Sequence, residues 1–281
     1  LLHPIDRRRQ KEAAMKKSTS KCKKTENSRG HLRLWAVAVW LLAWELLSIY
    51  IGQEILLVSP VSVLIRLLEL VTGKGSMTAA AQFWSAAAFS FVRIIGGFLA
   101  ASAAGVLLAS LAGVFRPVRD LLAPAMTAIK AVPVASFIIL VLIWVPSRNL
   151  SVVISFLMVL PIVYTNVLNG IRSMDGQLLE MARDFRVPLI RRIRYIYLSQ
   201  LLPFLRTAFS LSLGLCWKAG IAAEVIGIPD GSIGERLYEA KVYLQTADLF
   251  AWTLVIVALS VGFEKCFLRA VDRIVTRLEQ S

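Results

Sequence analysis

The sequence predicts an all-α protein that crosses a membrane about six times, and three observations carry that prediction. Hydrophobic residues fill 57% of the 281 positions against 18% charged, and the mean hydropathy is +0.66, too apolar for an ordinary soluble domain. Apolar runs of about 18 residues or more recur along the chain, the length a helix needs to cross a hydrocarbon layer about 30 Å thick. Those runs are contiguous and rich in Leu and Ala instead of alternating in polarity, which favours helices over the strands of a barrel. The predicted spans are 34–51, 94–114, 128–145, 150–168, 205–226 and 249–268.

Residues 1–33 form a basic tail with Arg7, Arg8, Arg9, Lys16, Lys17, Lys21, Lys23 and Lys24, and no apolar periodicity from which a core could be built. Met15, followed by "KKSTSK", reads as a translation start, so residues 1–14 are given no function. From 34 to 281 the chain reads as one membrane domain. After the first span, "SPVSVLIRLLELV" offers Ser59 as an N-cap and Pro60 at the first helical position. Leu64, Leu67, Leu68 and Val71 then share a face of a helix too short to span, which suits the outer interface.

The second span repeats small residues every fourth position, at Gly97, Ala101, Gly105, Ala109 and Gly113. Such a strip lets a neighbouring helix approach closely, where dispersion drives packing in lipid. Pro133 and Pro161 interrupt the third and fourth spans and are expected to kink them. Asn166, near the end of the fourth span, suits either a helix-to-helix hydrogen bond or a solute path. Lys218 and Glu224 lie within the fifth, where charge is costly enough to face the bundle interior or water. They are six positions apart, so they occupy different faces and are not expected to pair. Either residue fits a solute path or a structural bond to a neighbouring helix or second copy.

The net charge of +14 is gathered in alternate connections: the N-terminal tail, Arg116 and Arg119, the stretch from Arg183 to Arg194, and Arg269, Arg273 and Arg277. That pattern places both termini in the cytoplasm and argues for membrane lipid, not nucleic acid, as the surface met by the charge. Cys22, Cys216 and Cys266 are scattered, and His3 and His31 both lie in the tail, so no disulfide framework or metal-ligand spacing is present. "GKGS" at Gly73 lacks the glycine spacing of a phosphate-binding loop, and "DGSIG" at Asp230 has no histidine partner and reads as a chain reversal. No metal, cofactor or catalytic residue is therefore expected on this chain.

One stretch does not fit a simple series of spans. "LLEMARDFRVPLIRRIRYIYLSQLLP", 178–203, carries five arginines beside two acids and still keeps a stripe of large hydrophobes. Asp175 is a suitable N-cap for a helix in which Leu178, Leu179, Met181, Ala182 and Phe185 form an apolar surface, with Glu180, Arg183 and Asp184 flanking it. Pro188 ends that helix. A second helix is expected to follow, with Leu189, Ile193, Ile196 and Tyr197 on one side and Arg191, Arg192 and Arg194 on the other, before Pro203 leads into the fifth span. Two short helices joined by a bend make a knob, suited either to an anionic lipid surface or to a soluble partner.

Glu180, Met181, Ala182, then Ile196 and Leu198 resemble the "EAA" loop of ABC importer permeases, whose pattern is E-A-A, three residues, G, nine residues, I-x-L-P. The register agrees, with Arg186 at the glycine position and Ser199 at the proline position. "SFVRIIGGFLAA", "QLLPFLRTAFSLSLGLCWKAGIAAEVIG" and "LQTADLFAWTLVIVALSVGFEKCFLRAVDR" extend the resemblance to permeases of the nitrate, sulfonate and taurine importer group, over nearly everything after the first span. The resemblance implies a MetI-like core of five helices plus an N-terminal span in the inner membrane, a second permease copy, a cytoplasmic ABC ATPase dimer carrying ATP and magnesium, and an extracytoplasmic solute-binding protein. It also implies that the cytoplasmic loop at 172–203 couples to the ATPase through Glu180, Met181, Ala182, Arg183, Phe185, Arg186, Ile196 and Leu198. Lys218 would suit an anionic solute at the membrane midplane. A polytopic transporter or channel working without ATP is the competing class.

Overall fold

The computed structural model describes residues 35–53, 55–73 and 77–280, so the tail read at 1–33 lies outside the described residues. Among the described residues the structure is helical and contains no strand. By compactness the chain divides into two units, Leu1–Leu64 and Ile65–Ser281.

In the first unit, helix α1 (Trp35–Ile51) ends at Gly52, whose φ of +64° suits a residue without a Cβ. The chain then folds back along α1. Trp44 Nε1 donates to the Val58 carbonyl at 3.1 Å and Ser48 Oγ to the Leu57 carbonyl at 2.9 Å. Helix α2 (Pro60–Thr72) begins as expected, with Ser59 Oγ accepting the Ser62 N–H at 3.2 Å.

In the second unit the far part of α2 packs Leu67, Leu70 and Val71 onto the main core. Leu64 and Leu68, on the same side of α2, are exposed, while Ser62, Arg66 and Glu69 form the polar side of the helix.

Helix α3 (Met77–Val114) starts well before the predicted span at 94. Its first half is Ala-rich and helix-forming but carries Gln82, Ser85, Ser90 and Arg93, so hydropathy alone does not find it. At about 1.5 Å per residue it is about 57 Å long, nearly twice the hydrocarbon thickness. Helix α4 (Arg116–Ala131) and helix α5 (Val134–Leu142) meet at 105°. The third span is therefore a broken pair, not one helix over 128–145. Pro133 is the cause: it offers no N–H and holds the preceding Val132 extended, at ψ 130°. Pro161 has no such effect, because helix α6 (Ser147–Arg172) runs through it.

Beyond α6 come α7 (Gly176–Asp184), α8 (Leu189–Arg192), a π-helical segment (Ile193–Tyr197), α9 (Leu198–Gly227), α10 (Ile233–Val242) and α11 (Thr246–Gln280). Four of the described helices are long and apolar enough to cross a membrane, the bent pair makes a fifth candidate, and α1 is shorter. The six predicted spans thus correspond to four unbroken helices, one broken pair and one short helix.

Helix α6 is the centre of the packing. The small-residue strip of α3 lies against it in parallel: a Cβ on Gly97 would meet the Val152 carbonyl oxygen at 2.5 Å, and one on Gly105 would meet Val163 at 3.0 Å. Ala101 and Ala109, between them, are completely buried. Helix α9 packs antiparallel to α6, with Gly170 of α6 facing Leu201 and Phe204, and Gly227 of α9 facing Leu150. An aromatic ladder of Phe98, Phe209 and Phe267, with centroids 5.3 to 6.1 Å apart, joins α3 and α9 to α11. Arg206 pairs with Asp272 at 3.1 Å at the end of the bundle where the hairpin lies, and Arg93 donates to Asn149 at 3.1 Å at the far end.

The strip yields a paired prediction. Gly97→Ala must push against backbone and is expected to destabilise the protein by about 1–3 kcal/mol. Gly96→Ala, where a Cβ would meet nothing within 4 Å, is expected to be neutral to stabilising, by up to about 1 kcal/mol. Thermal unfolding of the two variants in detergent checks the difference.

Candidate functional site

The hairpin is built around capped ends. Asp175 Oδ1 accepts the Gln177 N–H at 2.9 Å, which is the expected N-cap of α7, and the Asp175 N–H reaches Gln200 Oε1 at 2.9 Å, tying the entry of the hairpin to the start of α9. At the other end the Phe185 N–H bonds the Met181 carbonyl and the Val187 N–H bonds the Ala182 carbonyl, both at 3.0 Å. Between them Arg186 adopts φ +51°, the left-handed geometry that closes a helix C-terminus and usually belongs to glycine. Arg186, which stands where the resembled loop pattern has glycine, thus takes a backbone shape that favours glycine.

The apolar surface read from α7 divides in two. Ala182 is buried and Leu179 half-buried, whereas Leu178, Met181 and Phe185 are exposed, Phe185 by 79%. Glu180 and Asp184 are exposed beside them. The side chain of Arg183 lies outside the described ones.

The second arm differs from the sequence reading. There is no separate helix before the fifth span: α8, the π segment and α9 are continuous from Leu189 to Gly227, and Pro203 lies inside α9 instead of at its entrance. In the π segment the Leu198 N–H bonds back to Ile193, five residues earlier, which shifts the faces relative to a 3.6-residue repeat. Ile193 is accordingly exposed while Ile196, Tyr197 and Leu198 are half-buried. Arg192 donates to the Tyr197 hydroxyl at 3.1 Å. The hairpin brings together Glu180, Met181, Phe185 and Arg186 on its free side and turns Ala182, Ile196 and Leu198 inward.

At the far end of α9, Glu224 is completely buried. Ser90 Oγ of α3 donates to its Oε2 at 2.6 Å, and the Gly234 N–H of α10 approaches the same oxygen at 3.4 Å. Ser90 Oγ in turn accepts the Ile233 N–H at 2.9 Å. The carboxylate and its serine thus satisfy the first N–H groups of α10, where the helix dipole favours negative charge. The "DGSIG" reversal supplies the remaining cap: Ser232 Oγ accepts the Glu235 N–H at 3.0 Å, and Glu235 Oε2 accepts the Gly231 N–H at 2.6 Å. Glu224 and Lys218 do not pair, in agreement with their spacing. Lys218 is exposed on α9. Asn166 donates to the Ile162 carbonyl of its own helix at 2.8 Å. Of the three residues read as a solute path, Asn166 bonds within its own helix, Lys218 is exposed and Glu224 is held against Ser90 and α10.

Residues 101–280, more than half the chain, match the model of the family described as binding-protein-dependent transport system inner membrane component. The chain belongs to this family. It is an inner-membrane permease component, which fits its apolar helices and the resemblance of its 180–198 segment. It is 26% identical to a putative aliphatic sulfonates transport permease protein of Bacillus subtilis, over 84% of this chain and 83% of that one. It is 25% identical to the taurine transport system permease protein of Escherichia coli, over 85% of each. A putative aliphatic sulfonates transport permease protein of Escherichia coli is 30% identical over 67% of this chain and 72% of its own length.

The permease contains one arrangement that the sequence reading missed, the seating of α10 on Glu224 and Ser90. The sequence reading took "DGSIG" only as a chain reversal; the Ser232-x-x-Glu235 spacing is the signal that marks a helix start there, while nothing local identifies Ser90, 143 positions from Ile233, as a partner.

Arg186 gives the prediction for this site. Arg186→Gly removes a left-handed side chain and is expected to stabilise the permease by about 1 kcal/mol, whereas Arg186→Val is expected to destabilise it by at least about as much. Thermal unfolding in detergent checks both.

Proposed function

We propose that the permease is the translocating subunit of an ATP-driven importer, that its hairpin docks a cytoplasmic ATPase, and that it works with a second permease copy and an extracytoplasmic binding protein. The observation that carries this reading is the free side of the hairpin. Leu178, Met181 and Phe185 present large apolar side chains to water at the end of a charged helix, beside Glu180. Apolar anchors rimmed by charge are what a partner groove buries. The capped ends of α7 and the direct run into α9 make the hairpin stiff enough to carry force, which a motor closing on nucleotide requires. ATP and magnesium belong on the ATPase, with none held by this chain. In this orientation the hairpin end and both termini are cytoplasmic, and α10 is extracytoplasmic.

The cargo class we assign is a small anion of the sulfonate type, in line with the relatives' printed substrates. Lys218 supports it. An ammonium within an apolar span is too costly to face lipid, so its exposure on the isolated chain points to a second copy or to a water-filled path. Gly214, one turn before it, has open space where a Cβ would stand, and Leu211 beyond that is also exposed.

Co-purification with a co-expressed importer ATPase tests the dock. Glu180→Ala is expected to weaken ATPase retention several-fold while membrane insertion is unchanged, and removal of residues 178–198 is expected to abolish it. Undiminished retention by the deletion would overturn the reading, and failure of the intact permease to retain any ATPase would favour a carrier that works without ATP. Lys218→Gln is expected to slow uptake of radiolabelled taurine or methanesulfonate into proteoliposomes at least several-fold, with Lys218→Arg restoring part of the rate.

A further inference from the structure

We propose that Glu224 is the positioning residue that passes movement of the hairpin to α10 on the opposite side of the membrane, a role that rests on the hairpin being the ATPase dock. From Leu189 to Gly227 the chain is helical without a break, about 58 Å at 1.5 Å per residue. One end of this rod is the second arm of the hairpin and the other carries Glu224 in its last turn.

The grip at that end is close and specific. Glu224 Oε2 takes both the Ser90 hydroxyl and the Gly234 N–H, and Ser90 takes the Ile233 N–H, so α3, α9 and the first turn of α10 meet at one carboxylate. A Cβ on Gly234 would stand 2.3 Å from the Glu224 Cβ, so the backbone of α10 rests directly on α9. Between the two helices the chain reverses within a few residues through Ile228, at φ +45°, with its N–H bonded to the Glu224 carbonyl at 2.8 Å. A short connection closed by hydrogen bonds leaves little slack. The carboxylate is shut away from water, so N–H groups lost from it would not be replaced by solvent, and α10 stays seated while α9 moves.

Helix α10 is also placed to be touched from outside. Tyr238 and Val242 are exposed along it, and Tyr243 and Leu244 are exposed in the turn that ends it. A protein arriving at that surface and a motor at the hairpin would act on the two ends of one rod, joined to α10 by Glu224.

The test uses the complete transporter, with permease, ATPase and binding protein reconstituted together, and reads the ratio of ATP hydrolysis with and without solute-loaded binding protein. For Glu224→Ala, basal hydrolysis and ATPase retention are expected to stay within about two-fold of the unmodified transporter, while the stimulation ratio falls at least about five-fold. Ser90→Ala is expected to lower the ratio less, and Glu224→Gln, which keeps an acceptor oxygen, to recover part of it. Full stimulation in Glu224→Ala overturns the proposal. If that variant loses its ATPase through misfolding, a second measurement decides. In protein keeping Glu224 but lacking Cys22 and Cys266, spin labels are placed at Tyr243→Cys and Val114→Cys, both at exposed sites. Trapping the ATPase with vanadate is expected to shift the distance between them, and an unchanged distance overturns the proposal. An unmodified permease that retains no ATPase overturns the docking reading and this one together, whereas retention with full stimulation in Glu224→Ala overturns this one alone.

Discussion

The bundle depends on how closely α3 lies against α6. In lipid, burying an apolar side chain against another helix gains little over leaving it among acyl chains, so association rests on contact at short range. Gly97, Ala101, Gly105 and Ala109 remove the side chains that would hold the two backbones apart, and α6 brings its own backbone and Val163 into the space. With that seam closed, α9 packs against both α3 and α6, where Gly170, Gly220 and Gly227 again admit side chains from other helices directly. The aromatic ladder to α11 then fills the remaining flank. Every element with a proposed role, the hairpin, Lys218 and Glu224, sits on or beside a helix that this seam positions.

The fold was legible where its cause was local. Apolar runs located the membrane helices, the fourfold repeat of small residues named the α3 seam, and Ser59 and Asp175 capped the helices they were expected to cap. Lengths were less legible, because the hydrophobic run marks the part of a helix that lies in lipid and says nothing of the part beyond it; α3 and α9 both continue well outside their predicted spans. Prolines were the least legible. Pro133 breaks a helix, while Pro161 and Pro203 stand inside theirs. Pro124 likewise stands inside α4, so proline alone does not mark a break.

The same division holds for the candidate site. The hairpin could be read because its cap, its apolar stripe and its resemblance to a known loop lie within one short segment. Its second arm could not, since a π segment moves residues off the 3.6-residue repeat on which face assignments rest. Glu224 was visible as a charge in a span, but its partners come from α3 and α10, and only the tertiary arrangement converts an expensive charge into the cap of another helix. Arg186, Ile228 and Leu244 add a further lesson. All three take left-handed geometry at helix ends without being glycine, and in each the backbone hydrogen bonds of the closing turn hold the shape.

The outward-facing Phe185 has a bearing on how the cell handles this chain before assembly. A newly inserted copy displays Phe185, Met181 and Leu178 together on a small peripheral lobe, a greasy patch of the kind that chaperones and proteases recognise on orphan subunits. On the proposed docking, the partner that covers these three side chains also hides that patch.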